Sequence, residues 1–298
     1  MVEQMEMINR LAGEIPSRRS VRTFSGEPVA EELLDDIMGF ARELSVPFEH
    51  NTRFEMFTTE PGSKVYATGL NPPTNIAMLA QTDLVSVSKA GFVGELVMLY
   101  ATSLGLSTCW FGHYKLAEVG KYIPGIGGTD RVRESTMGFG YGAHVDVGER
   151  AICCMPIGYR DAGEKPSAGS DETTPGSDRK SADPGAANTD ADRKPVEELL
   201  EDPGIAREIP EDIAHALEFA RLAPSVGNSQ MWRFGFEDDF GTITVAKPVG
   251  YEHFKWEHPD VDVGMCAAHL WLGLIQNGHD PHVEAVVDAD RVKWLFVL

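Results

Sequence analysis

Phe40-Ala41-Arg42 closes a run of helical periodicity that begins after Pro28, and Phe219-Ala220-Arg221 closes a second run after Pro210. In the first run Leu33, Leu34, Ile37, Met38, Ala41 and Leu44 recur at helical spacing, with Glu31 and Glu32 in the first turn, where the helix dipole favours acids. In the second, Ile213, Ala216, Leu217 and Ala220 share one face. A further echo lies in two apolar stretches, predicted as buried helices over Gly91–Leu104 and Val263–Gln276: Gly91 recurs as Gly264 at nearly the same separation. Each half reads as helix, hairpin-like strands, buried helix, strand. That order points to two copies of one α+β unit whose buried helices pack on each other.

The remaining elements fit between these. Residues 3 to 13 form an amphipathic helix, Arg53–Thr58 alternates as a strand, and Leu84–Val87 reads as another. Gly105 stops the first buried helix, a short β segment and turn run to Gly112, and a helix follows near Lys115–Tyr122. Ala151–Ile157 is a buried strand. Trp232–Phe236 and Thr242–Ala246 make a hairpin around Asp238-Asp239-Phe240-Gly241, and His282–Val287 and Val292–Val297 end the chain as strands. From Arg160 to about Asp192 only Gly, Pro, Ser, Ala, Thr and charged or amide residues occur, which cannot offset the entropy of ordering them. The expected organisation is therefore a first repeat over 1–160, a linker over 161–192 and a second repeat over 193–298.

Of the 298 residues, 42% are apolar, enough to bury a substantial core. A formal charge of −20 argues against nucleic acid or an anionic membrane as partner. No early apolar run follows Met1-Val2-Glu3-Gln4, and Gly91–Leu106, which carries Glu95, reads as too short to cross a bilayer, so the expectation is a soluble protein that is not exported. Cys109, Cys153, Cys154 and Cys266 lack metal or disulfide spacing and read as reduced core thiols, which fits the cytoplasm. Gly125-Ile126-Gly127-Gly128 lacks the strand that a dinucleotide loop requires and reads as a turn. His253, His258, His279 and His282 lack zinc spacing, and His269 reads as a core or interface histidine. No side chain stands out as a nucleophile or general base, and no metal site is expected.

One stretch concentrates positive charge: Ser17-Arg18-Arg19-Ser20-Val21-Arg22-Thr23-Phe24. On an extended segment Arg18, Ser20 and Arg22 share a side, and guanidinium forks match phosphate oxygens. A solvated basic turn accounts for the same residues equally well.

Taken in order, Arg18-Arg19-Ser20-Val21-Arg22, Gly91 to Tyr100, Gly105 to Gly112, Gly158-Tyr159 with Arg193-Lys194-Pro195, and Arg221 to Phe234 resemble the flavin-dependent nitroreductase family. The resemblance is closest to its single-chain branch, in which two repeats form an intramolecular pseudo-dimer. Ser107 and Met231 stand where that family usually has Gly and Pro, and the linker is longer than its members carry. The resemblance implies one composite FMN site, because only the first half has the arginine–serine cluster and only the second has the Pro-Ser-x-x-Asn pattern. Glu43 to Glu49 in the first half lacks that pattern, and Asp202 to Arg207 in the second lacks the cluster.

Carried over to this chain, Arg18, Ser20 and Arg193 hold the FMN phosphate, Arg19 contributes or faces solvent, and Arg22 lies toward the pyrimidine edge. Pro224, Ser225 and Asn228 close the site, with Gln230 and Trp232 as supports. Backbone N–H groups of Trp110, Phe111 and Gly112 face the flavin N5 and O4 edge, although core packing explains Trp110 as well. The implied activity takes hydride from NADH or NADPH through the flavin to a small-molecule acceptor, a nitroaromatic or quinone, by a ping-pong cycle. The chemistry falls to the cofactor, so no catalytic side chain is named. The implied assembly is a monomer, its pseudo-dimer interface being internal. The alternatives are a flavin-binding protein without turnover, and a two-repeat protein that binds no flavin.

Overall fold

Two four-stranded antiparallel sheets, each paired with a long apolar helix, organise this computed structural model, which describes residues 2–60, 62–66, 74–112, 114–123, 149–161, 193–253 and 256–298. In the first half α1 (Val2–Glu14) and α2 (Glu31–Glu43) precede β1 (Arg53–Thr58), β2 (Thr74–Gln81), α3 (Leu84–Ser103), β3 (Ser107–Thr108), α4 (Leu116–Val119) and β4 (Glu149–Gly158). The second half runs α5 (Val196–Leu199), α6 (Glu211–Arg221), β5 (Arg233–Glu237), β6 (Thr242–Ala246), α7 (Pro259–Gln276), β7 (His282–Asp288) and β8 (Arg291–Val297). Strand order is β1-β2-β4-β3 in one sheet and β5-β6-β8-β7 in the other, so the two sheets match position for position. All neighbouring strands are antiparallel. The secondary structure is α+β, as expected.

The two long helices decide how these layers meet. α3 is apolar all round, and thirteen of its residues are buried, Glu95 among them. It packs most extensively against α7, itself buried from Asp260 to Leu274. Matched glycines allow the approach. A Cβ on Gly91 would overlap the Val261 carbonyl oxygen, and a Cβ on Gly264 would overlap the Ser88 carbonyl oxygen. Each glycine thus meets the residue three positions before the other, so the two backbones touch reciprocally where any side chain would hold them apart.

Several expectations need correction. Leu84–Val87 is not a strand but the first turn of α3, where the Asp83 side chain accepts the Ser86 N–H at 3.0 Å. Four residues, three of them apolar, cannot distinguish the two periods; the cap does. With that turn, α3 has 20 residues and contains an 18-residue stretch of mean hydropathy 1.4, so it is long and apolar enough to cross a membrane. In the fold, 78% of that stretch is buried inside the protein, and its apolarity serves the core. Sequence reading also missed β2, whose Ile76–Ala80 segment is buried on both faces and shows a continuous apolar run instead of alternation. β2 lies between β1 and β4, with Met78 opposite both Phe54 and Cys153. The helix expected near Lys115–Tyr122 is shorter, ending at Val119. The turn at Gly125–Gly128 and the linker beyond Asp161 lie outside the described residues.

Candidate functional site

The arginine segment leaves α1 and runs extended beside β3. Ser20 bridges Thr108, the Val21 N–H donates to the Thr108 carbonyl at 2.9 Å, and Phe24 bridges Arg160. Arg18 turns inward and is 1% exposed, with its Nε 3.2 Å from Glu95 Oε1. Arg19 folds back on its own chain, donating through Nη1 to the carbonyls of Pro16 and Arg18. Arg22 stays exposed.

Glu95 is the hub of a buried polar network that joins both halves. Its Oε1 also meets His269 Nε2 at 3.0 Å, and its Oε2 accepts the Trp110 indole N–H at 2.7 Å. The other ring nitrogen of His269 lies 3.1 Å from the Phe219 carbonyl oxygen. Burial alone would raise the Glu95 carboxyl. Arg18 beside it, together with the His269 and Trp110 hydrogen bonds, outweighs burial and holds it below the usual carboxylate range. Gly94 leaves room for the Trp110 ring, since a Cβ there would lie 2.6 Å from its Cη2. His269 is the interface histidine that the sequence led us to expect, and Trp110 is fixed by a hydrogen bond as well as by packing.

A cavity of about 250 Å³ opens next to Trp110. Ser20, Arg22, Trp110, Phe111 and Gly112 line it from the first half, and Pro224 and Ser225 from the second. The second-half loop is tightly determined. Gly227, Asn228 and Gln230 take left-handed backbone conformations (φ 56°, 55° and 46°). Ser225 Oγ accepts the Gln230 N–H at 3.0 Å, and Asp262 Oδ2 accepts the Val226 N–H at 2.8 Å. Arg193 Nη1 donates to Asn228 Oδ1 at 2.9 Å, and the Lys194 N–H donates to Gln230 Oε1 at 2.7 Å. Arg193 and Asn228 therefore brace this loop from behind and do not line the cavity; Arg18 and Arg19 also lie off it.

The three amides expected as backbone donors differ in their pairing. The Phe111 N–H donates to the Cys154 carbonyl at 3.1 Å, and the Cys154 N–H donates back to Phe111. The Phe111 amide is therefore engaged within the first sheet, whereas the Trp110 and Gly112 amides make no backbone pairing among the described residues. A Cβ on Gly112 would run into the Trp256 ring, so the missing side chain makes space for that indole.

Cys153, Val226, Gly227, Trp256, Asp262 and Met265 also line the cavity and were not singled out from sequence. Asp262 left one signal: with Asp260 it is one of two acids in the first turn of an otherwise mostly apolar helix. Burial pushes its carboxyl up to about 8; the Val226 N–H opposes this and Asp260 adds to it. Burial also raises the Cys153 thiol, so it stays protonated and unreactive. Trp256 lies in a loop with no periodicity to mark it.

A protein-family model described as "Putative TM nitroreductase" matches residues 10–274. Among solved structures, a protein from Thermotoga maritima titled a putative nitroreductase is 20% identical, covers 97% of this chain and 93% of its own, and gives a TM-score of 0.56. A nitroreductase family protein from Clostridium novyi is 14% identical over 51% of this chain and 86% of its own (TM-score 0.38). An FMN-dependent nitroreductase from Clostridium difficile is 20% identical over 51% and 89% (TM-score 0.36). No curated protein matches the chain. The first of these structures shares the mixed α/β nitroreductase-like fold across nearly the whole chain, and the family match spans most of it: the chain belongs to the TM nitroreductase family.

Proposed function

We propose that this chain is an FMN-dependent oxidoreductase in which two copies of one unit, residues 1–160 and 193–298, form an intramolecular pseudo-dimer with a single flavin site. The observation that carries this reading is the composite cavity: Ser20, Arg22 and Trp110 come from one half and Pro224 and Ser225 from the other. The matched strand orders and the reciprocal Gly91/Gly264 contact support the two-copy organisation, because reciprocal contacts are those of a two-fold interface. With that interface already internal, the protein acts as a monomer. Four buried, unbridged thiols fit a reducing compartment, and we assign it to the cytoplasm.

The cavity suits a flat aromatic ring with a polar edge. Two indoles and Met265 supply apolar walls, and the Trp110 and Gly112 amides, two serine hydroxyls and Arg22 supply donors. Its volume lies just under the ~300–1,000 Å³ of typical ligand pockets, which favours holding the ring there and the phosphate outside. Arg18 Nη1 and Nη2 and Thr108 Oγ1 are buried without hydrogen-bond partners among the described residues, behind Ser20 and off the cavity itself. FMN bound there supplies hydride transfer, taking hydride from NADH or NADPH and passing it to a nitroaromatic or quinone. The protein's own share is positional. Arg22 favours negative charge at the ring edge, Glu95 fixes the Trp110 wall, and Asp262 fastens the Val226 loop over the site.

The test is direct. Protein incubated with FMN and freed of unbound ligand retains flavin, and it oxidises NADH or NADPH when a quinone or nitro acceptor is added. Retained flavin without turnover against any acceptor means a storage or sensing protein instead. A colourless protein rejects the flavin reading altogether.

A further inference from the structure

We propose that Asp262 is the proton donor to the acceptor bound in the cavity, a role that rests on the oxidoreductase reading above. Among the described residues Glu95, Asp260 and Asp262 are deeply buried carboxyl groups, and their surroundings differ. Glu95 is surrounded by Arg18, His269 and the Trp110 indole N–H, so it is an anion fully engaged in holding other groups. Asp262 is 2% exposed and, among the described residues, makes a single hydrogen bond, from the Val226 N–H to Oδ2. With Oδ2 accepting that bond, Oδ1 is the oxygen left to carry a proton, and Asp262 lines the cavity together with Ser225 and Met265.

Among the described residues no cation forms an ion pair with Asp262. Asp260, on the same helix, is an acid itself and is held by the Val292 N–H at 2.8 Å and by Lys247 at 4.0 Å. Cys153, facing from β4, is a neutral thiol. His258, at the start of α7, is pushed by burial down to about 4 and is neutral at physiological pH. Burial raises Glu257. Arg22 shares the cavity lining but forms no ion pair with Asp262 among the described residues. A carboxyl placed so is kept neutral, in the way that environments separate paired catalytic acids into a charged and a protonated partner.

A quinone takes two electrons and one proton as hydride from the reduced flavin. Its second oxygen takes the Asp262 proton, the Oδ1–H bond breaking as the new O–H bond forms, and the product is the hydroquinone. The Asp262 carboxylate recovers its proton from water through the cavity mouth.

Asp262→Asn tests this, because the amide keeps the shape, can still accept from the Val226 N–H and still offers an N–H, yet has no proton to transfer. Difference infrared spectra of the flavin-free protein between pH 6 and pH 10 are expected to show a protonated-carboxyl band in the wild type that D262N lacks. Stopped-flow oxidation of the flavin-loaded, reduced protein by a benzoquinone is expected to slow about a hundredfold in D262N, relative to its reduction by NADH or NADPH. A carboxyl band unchanged by the substitution overturns the proposal with or without flavin. Equal oxidation rates in protein that binds and reduces flavin overturn the proposal alone. A chain that never binds flavin overturns both this role and the function on which it rests.

Discussion

Asp262→Asn should change how stability depends on pH. The native carboxyl is held up to about 8 by burial, against about 3.8 for an unperturbed aspartate, so between those values the folded chain keeps a proton that the unfolded chain has lost. The group with the raised value therefore makes the folded state less stable as pH rises through that window, and the loss levels off above it. Each pH unit inside the window costs about 1.4 kcal/mol. From pH 6 to pH 9 the wild type should therefore lose about 2.5 kcal/mol through this group, since it is half-ionised near 8 and the slope fades beyond. Asparagine carries no titrating proton and keeps an acceptor for the Val226 N–H, so its own stability should not carry that slope. Urea unfolding of both proteins at pH 6 and pH 9 measures it. Groups shared by the two proteins cancel in the comparison, and the stability difference should shift in favour of asparagine by about 2.5 kcal/mol. Parallel pH profiles would refute a neutral, buried Asp262.

Other perturbations separate the remaining parts of the account. Gly264→Ala drives a Cβ into the Ser88 carbonyl, backbone against backbone, and should cost about 3 kcal/mol or more, while Gly39→Ala in α2, with open space around it, should stabilise by about 0.5–1 kcal/mol; thermal melts that move both proteins in one direction would reject the close α3–α7 crossing. Glu95→Ala leaves Arg18 and His269 buried without their carboxylate and should cost about 3–5 kcal/mol in urea unfolding. A loss under 1 kcal/mol would mean that the network does not hold the halves together. Arg22→Ala removes the exposed cation at the cavity mouth and should weaken FMN binding about tenfold, on the scale of a charge-assisted hydrogen bond of ~1.5–3 kcal/mol, with stability unchanged. Undiminished affinity in equilibrium dialysis would remove Arg22 from the site.

What could be read from the sequence was what depends on neighbours along the chain. The Phe-Ala-Arg echo and the Gly91/Gly264 pair were visible because a helix face and a close helix crossing each leave a local mark. The arginine segment was visible as an extended strand-like run, and Ser20 and Arg22 do share the cavity. The direction of Arg18 was not visible, because its partner Glu95 comes from a distant helix, and alternation says nothing about which charged residue is drawn inside. β2 was hidden by burial on both faces, which erases the two-residue period. Phe111 was placed in the right loop, but the use of its amide depended on pairing with Cys154 across the sheet. Trp256 and Cys153 reach the cavity only through tertiary packing, and nothing in their own stretches marks them.

The central claim is one flavin held between the two halves. Spectrophotometric titration of the purified chain with FMN, followed by gel filtration and measurement of retained flavin against protein, tests it most directly. The account predicts saturation at one FMN per chain, with visible absorption bands that persist through the column. Saturation at two per chain would contradict the single composite cavity, and no retained flavin would contradict the site itself.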